Sequence, residues 1–202
     1  MSPVKVFGHP MLTNVARVLL FLEEVGAEYE LVPMDFVAGE HKRPQHVQLN
    51  PFAKMPGFQD GDLVLFESRA IAKYILRKYG GTAGLDLLGE NSGIEELAMV
   101  DVWTEVEAQQ YYPAISPVVF ECIIIPFIIP GGGAAPNQTV VDESLERLRG
   151  VLGIYEARLE KSRYLAGDSV PCRAGDDSVQ EKRPPSRGWV IICPSTSSSI
   201  RF

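Results

Sequence analysis

The sequence lacks the features by which several classes of protein are recognised. Three cysteines, an odd number without paired spacing, predict free thiols rather than a disulfide framework or a zinc site. The chain has a net charge of −7 and no cluster of Lys and Arg, and both observations argue against nucleic acid as the main partner. The start of the chain has no basic segment followed by an apolar one, so we expect no secretory signal and a cytoplasmic location.

A long apolar run that could span a membrane is also missing. The most apolar stretch, residues 113–130, falls short of the ~20 residues that a span requires. It also carries Glu121 and is interrupted by Pro117 and Pro126. The stretch therefore predicts a buried helix with a proline-broken end, and no membrane partner is expected.

The first 80 residues contain both of the periodicities that predict secondary structure. Runs of β-branched and aromatic residues at 4–7 and 29–34 predict strands. Between them, apolar residues recur at helical spacing: Val15, Val18, Leu19, Leu22 and Val25. The turn signal Asp60-Gly61-Asp62 predicts a hairpin, and Ser68 is predicted as the N-cap of the helix that follows. The predicted order is β-α-β-α-β-β-α.

The rest of the chain predicts helices and then a change of character. Glycines mark a linker over residues 81–91. Helical periodicity from Ile94 to Val106 and from Val141 to Leu159 predicts an all-α domain over residues 92–168. Residues 169–202 contain four prolines, seven serines and no sustained period, with a charge of +2 against −9 for the preceding residues. They predict a poorly ordered tail, and their composition suggests an altered reading frame or an unspliced transcript.

The segment from Asn50 to Ile71 carries the strongest functional signal. Pro56 lies just before a predicted strand and cannot donate to a strand ladder. A cis Met55-Pro56 bond would turn the Met55 backbone outward, where it could pair with an extended peptide. A trans proline that only opens the strand is the ordinary alternative, but the neighbouring residues favour the cis form. The segment therefore predicts a site for a small peptide-like ligand.

Charged and hydroxyl side chains flank this segment. The N–H and hydroxyl of Ser68 would meet a ligand carboxylate at a helix N-terminus, and Glu67 could pair with a ligand amine. The alternative for Ser68 is a helix cap without a ligand. His41, Lys42 and Lys54 add cationic donors near the same edge, unless they are only solvated surface residues.

These residues resemble the glutathione-binding half of a glutathione transferase. Three motifs are similar to those of the plant phi class: Gly8-His9-Pro10, Glu40-His41-Lys42 and Phe66-Glu67-Ser68-Arg69-Ala70-Ile71. Over residues 1 to about 168, the resemblance implies an α/β thioredoxin-like glutathione-binding domain at 1–80 and an all-α C-terminal domain with incomplete C-terminal helices. It implies attack of the glutathione thiolate on hydrophobic electrophiles, or reduction of organic hydroperoxides, in detoxification and stress response. Glutathione is then a co-substrate, and neither a further cofactor nor a metal is implied.

The resemblance also implies roles for individual residues. Glutathione would be bound by His41, Lys42, Lys54, Met55, Pro56, Glu67 and Ser68. In phi-class relatives, a serine after the His-Pro dipeptide donates a hydrogen bond to the sulfur, but an ungapped alignment puts Leu12 at that position, and leucine cannot donate. Thr13 follows immediately and is our candidate for the thiolate stabiliser. The alternative is that Thr13 only begins the first helix.

Further expectations concern assembly, the second substrate and the tail. Phe52 resembles the aromatic key that such enzymes insert into a partner subunit, which implies a homodimer. By analogy, an apolar substrate site would be lined by Met11, Leu12, Tyr111, Tyr112 and Phe120, although each is also explained as helix core. Relatives continue beyond Tyr164–Asp168 with further helices that this chain does not match, which predicts an exposed apolar stripe and low solubility or activity. The alternative function is a non-catalytic binder or carrier of glutathione and small apolar ligands.

Overall fold

The computed structural model describes residues 3–83, 88–90, 93–129 and 135–168. The chain divides into two compact units, whose described parts lie within residues 3–83 and 88–168. The predicted tail at 169–202 lies outside the described residues. The first unit is an α/β domain and the regular elements described in the second are all helices, so the predicted fold class is confirmed.

The elements of the first unit follow the predicted order. They are β1 (Val4–Gly8), α1 (Thr13–Glu24), β2 (Tyr29–Pro33), a 3₁₀ turn (Glu40–Lys42), α2 (Pro44–Val47), β3 (Gly57–Asp60), β4 (Leu63–Leu65) and α3 (Ser68–Ala83). The strands form one sheet in the order β2-β1-β3-β4, with β1 parallel to β2 and antiparallel to β3. The predicted hairpin joins β3 to β4 through Gly61, whose φ of 60° is a left-handed conformation that glycine adopts without a steric cost.

The core of this unit is formed by one face each of two helices and two strands. α1 and α3 repeat their apolar residues at helical spacing, so that each buries a single stripe. The buried residues from these helices and from β1 and β3 are Val4, Val6, Val15, Val18, Leu22, Phe58, Ile71 and Ile75. The ends of β1, α1 and α3 are thereby held in fixed positions.

A polar cluster fastens the later turns of α3 to β3. Asp60 Oδ2 accepts hydrogen bonds from the Tyr74 hydroxyl at 2.9 Å, the Tyr79 hydroxyl at 2.7 Å and Lys78 Nζ at 2.6 Å. Burial alone would raise the pKa of Asp60, but the three hydrogen bonds outweigh it and lower that pKa from its usual value. The carboxylate therefore stays ionised and holds α3 against the sheet.

The described part of the second unit contains a long helical run and one further helix. The run comprises α4 (Ile94–Val106), a π-helical segment (Glu107–Tyr111), α5 (Tyr112–Val119), a second π-helical segment (Phe120–Ile124) and α6 (Ile125–Ile128). The further helix, α7 (Gln138–Leu159), confirms the stripe predicted between Val141 and Leu159. Tyr155 on α7 contacts Trp103 edge-on and stacks on Tyr111, and burial, followed by the charge of Glu107, raises the pKa of Tyr155 to about 12.

Two expectations about the helices were wrong. The stretch predicted as a buried helix buries only Ala114 and Ile124 among its described residues, whereas Phe127 is 81% exposed. Its prolines do not end the helix. Pro126 follows the second π segment, whose wider turns relieve the clash that proline causes with the preceding turn, and Pro117 lies inside α5. α3 extends to Ala83, so the predicted linker is helical for its first three residues. Among the described helices, none combines the length and the apolar character needed to cross a membrane.

Candidate functional site

The turn before β3 is held by a buried asparagine. Asn50 Nδ2 donates to the Pro56 carbonyl at 3.3 Å, and Asn50 Oδ1 accepts from the Phe52 N–H at 3.1 Å. The Met55-Pro56 peptide bond is cis, as predicted. The Met55 side chain is buried, but no described residue forms a hydrogen bond with its backbone N–H or C=O. The backbone N–H and C=O of Met55 are therefore left open just before the start of β3.

A second buried side chain, which the sequence did not reveal, fixes the same turn. His46 Nε2 lies 2.7 Å from the Lys54 carbonyl, to which it must donate because a carbonyl can only accept. His46 is almost fully buried, whereas the Lys54 side chain is exposed. A histidine within a polar stretch carries no pattern that separates a buried hydrogen-bond donor from a solvated residue, so only the fold identifies this role.

His41 lies in a different environment from the one expected for a surface residue. Its ring is buried and stacks on Phe36 with centroids 5.1 Å apart, and no described residue is a partner for its Nδ1. Burial first, and then the charges of Lys42 and His46, lower the pKa of His41 from its usual value. His41 is therefore a neutral hydrogen-bonding group at neutral pH. Lys42 remains exposed.

Glu67 and Ser68 lie at the beginning of α3, and its N-cap is one residue earlier than predicted. The Glu67 carbonyl accepts from the Ile71 N–H at 2.9 Å, so Glu67 occupies the N-cap position and Ser68 is the first helical residue. The prediction of Ser68 as the N-cap was therefore wrong. Glu67 has a φ of 69°, a left-handed conformation that costs a non-glycine residue about 1–3 kcal/mol and is often found at ligand sites. Its side chain is exposed, whereas Ser68 is buried.

Arg17, for which the sequence predicted no role, links α1 to Ser68 together with Asn14. Arg17 Nη1 donates to Ser68 Oγ at 2.7 Å and to Asn14 Oδ1 at 2.7 Å. Ser68 Oγ lies 3.4 Å from the same Asn14 oxygen. Arg17 is only 2% exposed. An arginine on the buried face of a predicted helix is a signal that could have pointed to this cluster, since a charge is buried only with partners.

Thr13 is the first residue of α1, and Leu12 is its N-cap without a side-chain hydrogen bond. The Thr13 side chain is half-buried, and its hydroxyl makes no hydrogen bond to any described residue. Because the first N–H groups of a helix have no partners within the helix, the start of α1 favours an anion in the same way as the start of α3. The Thr13 hydroxyl is a donor that an anion at this position could accept from.

The contacts connect most of the predicted binding residues. The start of β3 pairs with the end of β1, since Gly57 lies opposite Phe7, and β1 leads directly into the turn before α1. The Arg17 bonds join α1 to the start of α3. Met55, Ser68 and the first turn of α1 therefore converge at one end of the sheet. Within the described residues, no group of three His, Cys, Asp or Glu side chains is placed to hold a metal ion.

The residues proposed to line an apolar site differ in exposure. Tyr111 is buried against Tyr155, which supports its interpretation as helix core. Met11 and Phe120 are exposed. Phe52 is 65% exposed and contacts Phe66 with ring centroids 5.9 Å apart. Cys122, the one cysteine among the described residues, is a half-buried free thiol.

Family models match both units. The model described as "Glutathione S-transferase, N-terminal domain" matches residues 2–77, and the one described as "Glutathione S-transferase, C-terminal domain" matches residues 111–170. Glutathione S-transferase 1 of Triticum aestivum is 99% identical over 170 residues, which cover 84% of this chain and 74% of that protein. Glutathione S-transferase 2 of the same species is 71% identical over 267 aligned positions, which cover 98% of this chain and 92% of that protein.

Solved structures show the same relationship. Glutathione transferase F7 from Populus trichocarpa is 47% identical with a TM-score of 0.75, and 82% of this chain covers 75% of that chain. Glutathione S-transferase I bound with lactoylglutathione is 50% identical with a TM-score of 0.74, and 84% of this chain covers 77% of that chain.

The second wheat protein also changes the interpretation of the tail. Its alignment covers 98% of this chain and therefore extends into residues 169–202. The alignment has 267 positions, more than the 202 residues of this chain, so the wheat protein contains residues without a counterpart here. The tail is thus shared with a relative, and an altered reading frame, inferred from composition alone, is not needed to explain it.

The two family models, the high identity to the wheat proteins and the fold of both units agree, and the chain belongs to the glutathione S-transferase family as a transferase of the plant phi type.

Proposed function

We propose that the chain binds glutathione in an extended conformation along Lys54–Pro56 and transfers its thiolate to hydrophobic electrophiles. The observation that carries this proposal is the Met55 backbone, whose N–H and C=O no described residue hydrogen-bonds and which lies beside Gly8 at the end of β1. Its N–H and C=O are available to pair with the cysteinyl main chain of glutathione as an added strand.

The two ends of glutathione differ in chemistry, and each is matched by different residues. The γ-glutamyl end carries a carboxylate and an ammonium side by side. The carboxylate is suited to the Ser68 N–H and hydroxyl at the start of α3, and the ammonium to the exposed Glu67 carboxylate. The glycyl carboxylate at the other end is suited to His41, Lys42 and Lys54.

The thiol requires activation, because a free thiol titrates near ~8.5 and is mostly protonated at neutral pH. We assign this role to the Thr13 hydroxyl, supported by the helix N-terminus at which it stands. Each unit by which the thiol pKa falls corresponds to ~1.4 kcal/mol of preference for the thiolate. The thiolate would displace a leaving group from an electrophilic carbon. It would also reduce a hydroperoxide to an alcohol by taking up one oxygen, with a second glutathione then forming the disulfide and water.

The same proposal includes assembly and cellular role. The Phe52 side chain is exposed. An exposed aromatic side chain can serve as an anchor in a pocket of a second subunit, and this favours a homodimer. A cytoplasmic location and a role in detoxification and stress response accord with this chemistry.

One observation favours a second function, the non-catalytic binding of glutathione and small apolar ligands. Leu12 is the N-cap of α1 and offers no donor to a sulfur. If Thr13 does not reach the thiol, glutathione binding would persist without activation.

The deciding experiment replaces Thr13 with Ala and titrates the thiol of bound glutathione by its ultraviolet absorbance. We expect the thiol pKa to rise by about one unit or more and turnover of a chlorinated nitroaromatic to fall in parallel at neutral pH. The matched control is Thr139→Ala, which removes an exposed threonine from the first turn of α7. An unchanged thiol pKa in Thr13→Ala would remove Thr13 from the mechanism, and retention on glutathione resin without turnover by the unmodified chain would favour the binder.

A further inference from the structure

The buried cluster of Arg17, Asn14 and Ser68 lies directly behind the proposed carboxylate site. Arg17 Nη1 carries two hydrogens, and it directs one to Asn14 Oδ1 and the other to Ser68 Oγ, each at 2.7 Å. Ser68 belongs to α3 and the other two residues to α1. A single guanidinium nitrogen therefore joins the first turn of α1 to the start of α3.

We propose that Arg17 is a positioning residue for the glutathione carboxylate site and acts through the Ser68 hydroxyl. This inference rests on the proposed function and adds a residue that does not itself touch the ligand. Its action follows from the direction of the hydrogen bonds. A hydroxyl that accepts a bond from a guanidinium must direct its own proton elsewhere, and the charged donor makes that proton a stronger donor.

The geometry leaves the Ser68 proton free for a ligand. Its alternative acceptor, Asn14 Oδ1, lies 3.4 Å away, well beyond the 2.7–2.8 Å typical of O–H···O bonds. A carboxylate at the start of α3 is a much better acceptor, because it is charged and is also attracted by the helix N-terminus. The Ser68 hydroxyl is therefore oriented for an anion before the anion binds.

The shape of the side chain matters as well as its charge. The planar guanidinium fixes the directions in which the two N–H groups of Nη1 point to these oxygens, whereas the ammonium of a lysine sits on a flexible stem that must be ordered to reach both. Arg17 is also buried, so its charge is little screened by solvent. We therefore expect lysine to replace arginine only in part.

The experiment compares two ligands by titration calorimetry: glutathione, and an analogue whose γ-glutamyl α-carboxylate is an amide. The proteins are the full chain and its Arg17→Gln, Arg17→Lys, Ser68→Ala and Arg17→Gln/Ser68→Ala variants. The unmodified chain should prefer glutathione to the amide. Arg17→Gln should reduce that preference by about tenfold and Arg17→Lys by a smaller factor, because each weakens a charge-assisted hydrogen bond. The preference of the double variant for glutathione over the amide should be no smaller than that of Ser68→Ala, because Arg17 acts through the hydroxyl that both variants lack.

The preference between the two ligands separates positioning from a general loss of structure, since a loosened fold would weaken both ligands equally. Arg149→Gln is the matched control, because Arg149 is an exposed arginine of the second unit and should leave both affinities unchanged. An unmodified chain that does not bind glutathione would overturn the proposed function itself. If the unmodified chain binds and either Arg17 variant keeps its full preference for the carboxylate, only the role of Arg17 is overturned. Arg17→Lys keeps the charge and serves as the test if Arg17→Gln does not fold.

Discussion

At the scale of single residues, the candidate site is marked by a backbone that departs from its usual conformation. Glu67 and Ala53 are the two non-glycine residues with positive φ among those described, and they flank the Met55 turn in sequence. Glu67 has a charged, exposed side chain that we assign to the ligand, whereas Ala53 has no polar side chain to contribute. Comparing the two residues therefore separates the effect of backbone strain on stability from the effect of a charged side chain on ligand binding.

Replacing each of these residues with glycine should have different consequences. Glu67→Gly should raise the free energy of unfolding by up to about 1 kcal/mol, because glycine adopts the left-handed region without strain. It should lower glutathione affinity by about tenfold, because the carboxylate that pairs with the ligand ammonium is lost. Ala53→Gly should raise the free energy of unfolding by the same amount as Glu67→Gly and leave glutathione affinity unchanged. Denaturant unfolding and calorimetric binding provide both quantities, and unaltered affinity in Glu67→Gly would contradict the assigned role.

His41 makes the stability of the protein depend on pH in a predictable direction. Its pKa is lower in the folded state than the ~6.5 of an unfolded chain, mainly because the ring is buried. The unfolded state therefore binds the proton more readily, and this residue removes stability as the pH falls through ~6.5. At higher pH both states are neutral at this residue, and its contribution is constant.

The variant His41→Phe should reduce this dependence while keeping the ring that stacks on Phe36. The free energy of unfolding of the unmodified chain should fall more steeply from pH 7.5 to pH 5 than that of the variant. Parallel curves for the two proteins would show that His41 does not carry the effect. Unfolding in urea at matched ionic strength is the measurement.

At the scale of elements, the approach of α1 to β1 depends on Gly8, the last residue of the strand. A Cβ at this position would lie 2.6 Å from Val15 Cγ2, closer than real side chains come, and Val15 is fully buried. The absence of a side chain allows α1 to begin directly over the end of β1. This brings Val15 in the first turn of α1 against the end of β1.

We expect Gly8→Ala to lower the free energy of unfolding by about 1–3 kcal/mol through overpacking against Val15. Gly153→Ala is the matched change in α7, where a Cβ would meet nothing within 4 Å. It should raise the free energy of unfolding by about 0.5–1 kcal/mol, since alanine favours helix more than glycine does. Thermal melts of the two variants should therefore shift in opposite directions, and equal shifts would disprove the clash at Gly8.

The helices of the second unit show where a local pattern is insufficient. The stripe on α7 was predictable because its apolar residues recur in threes and fours with few exceptions. The exposed side of the run from α4 to α6 was not predictable, because apolar residues occur on all of its faces and α4 buries none of them. Pattern alone cannot tell which face of such a helix is covered.

At the scale of the whole molecule, the second unit exposes much apolar surface. Ile94, Phe127 and Ile154 are each more than half exposed, and Tyr155, which follows Ile154, is 1% exposed. Only 74% of Triticum aestivum glutathione S-transferase 1 and 77% of glutathione S-transferase I are covered by the matched residues. The described helices thus expose individual apolar side chains, while the predicted continuous stripe stays a prediction.

We expect Ile154→Gln to change the free energy of unfolding by less than about 0.5 kcal/mol, because the side chain already lies in solvent. It should reduce binding of an apolar fluorescent dye and slow aggregation, since it interrupts an exposed patch. Tyr155→Ala, one residue further along, should destabilise the unit by about 3–5 kcal/mol. Equal destabilisation by the two variants would show that Ile154 is covered in solution.

The sequence by itself determined the order of elements in the first unit, the cis bond at Met55-Pro56, the stripe on α7 and the family. These features depend on near neighbours in the chain, such as turn residues, helical spacing and contiguous motifs. Only the tertiary structure decided that His41 and His46 are buried and that Arg17 joins α1 to Ser68 across 51 positions of sequence. A buried charge or ring is stabilised by partners that the chain brings together on folding, and no local pattern encodes them. The segment from Asn50 to Ile71 thus specifies the shape of the site, while His46 and Arg17, which help to hold it in place, come from outside the segment.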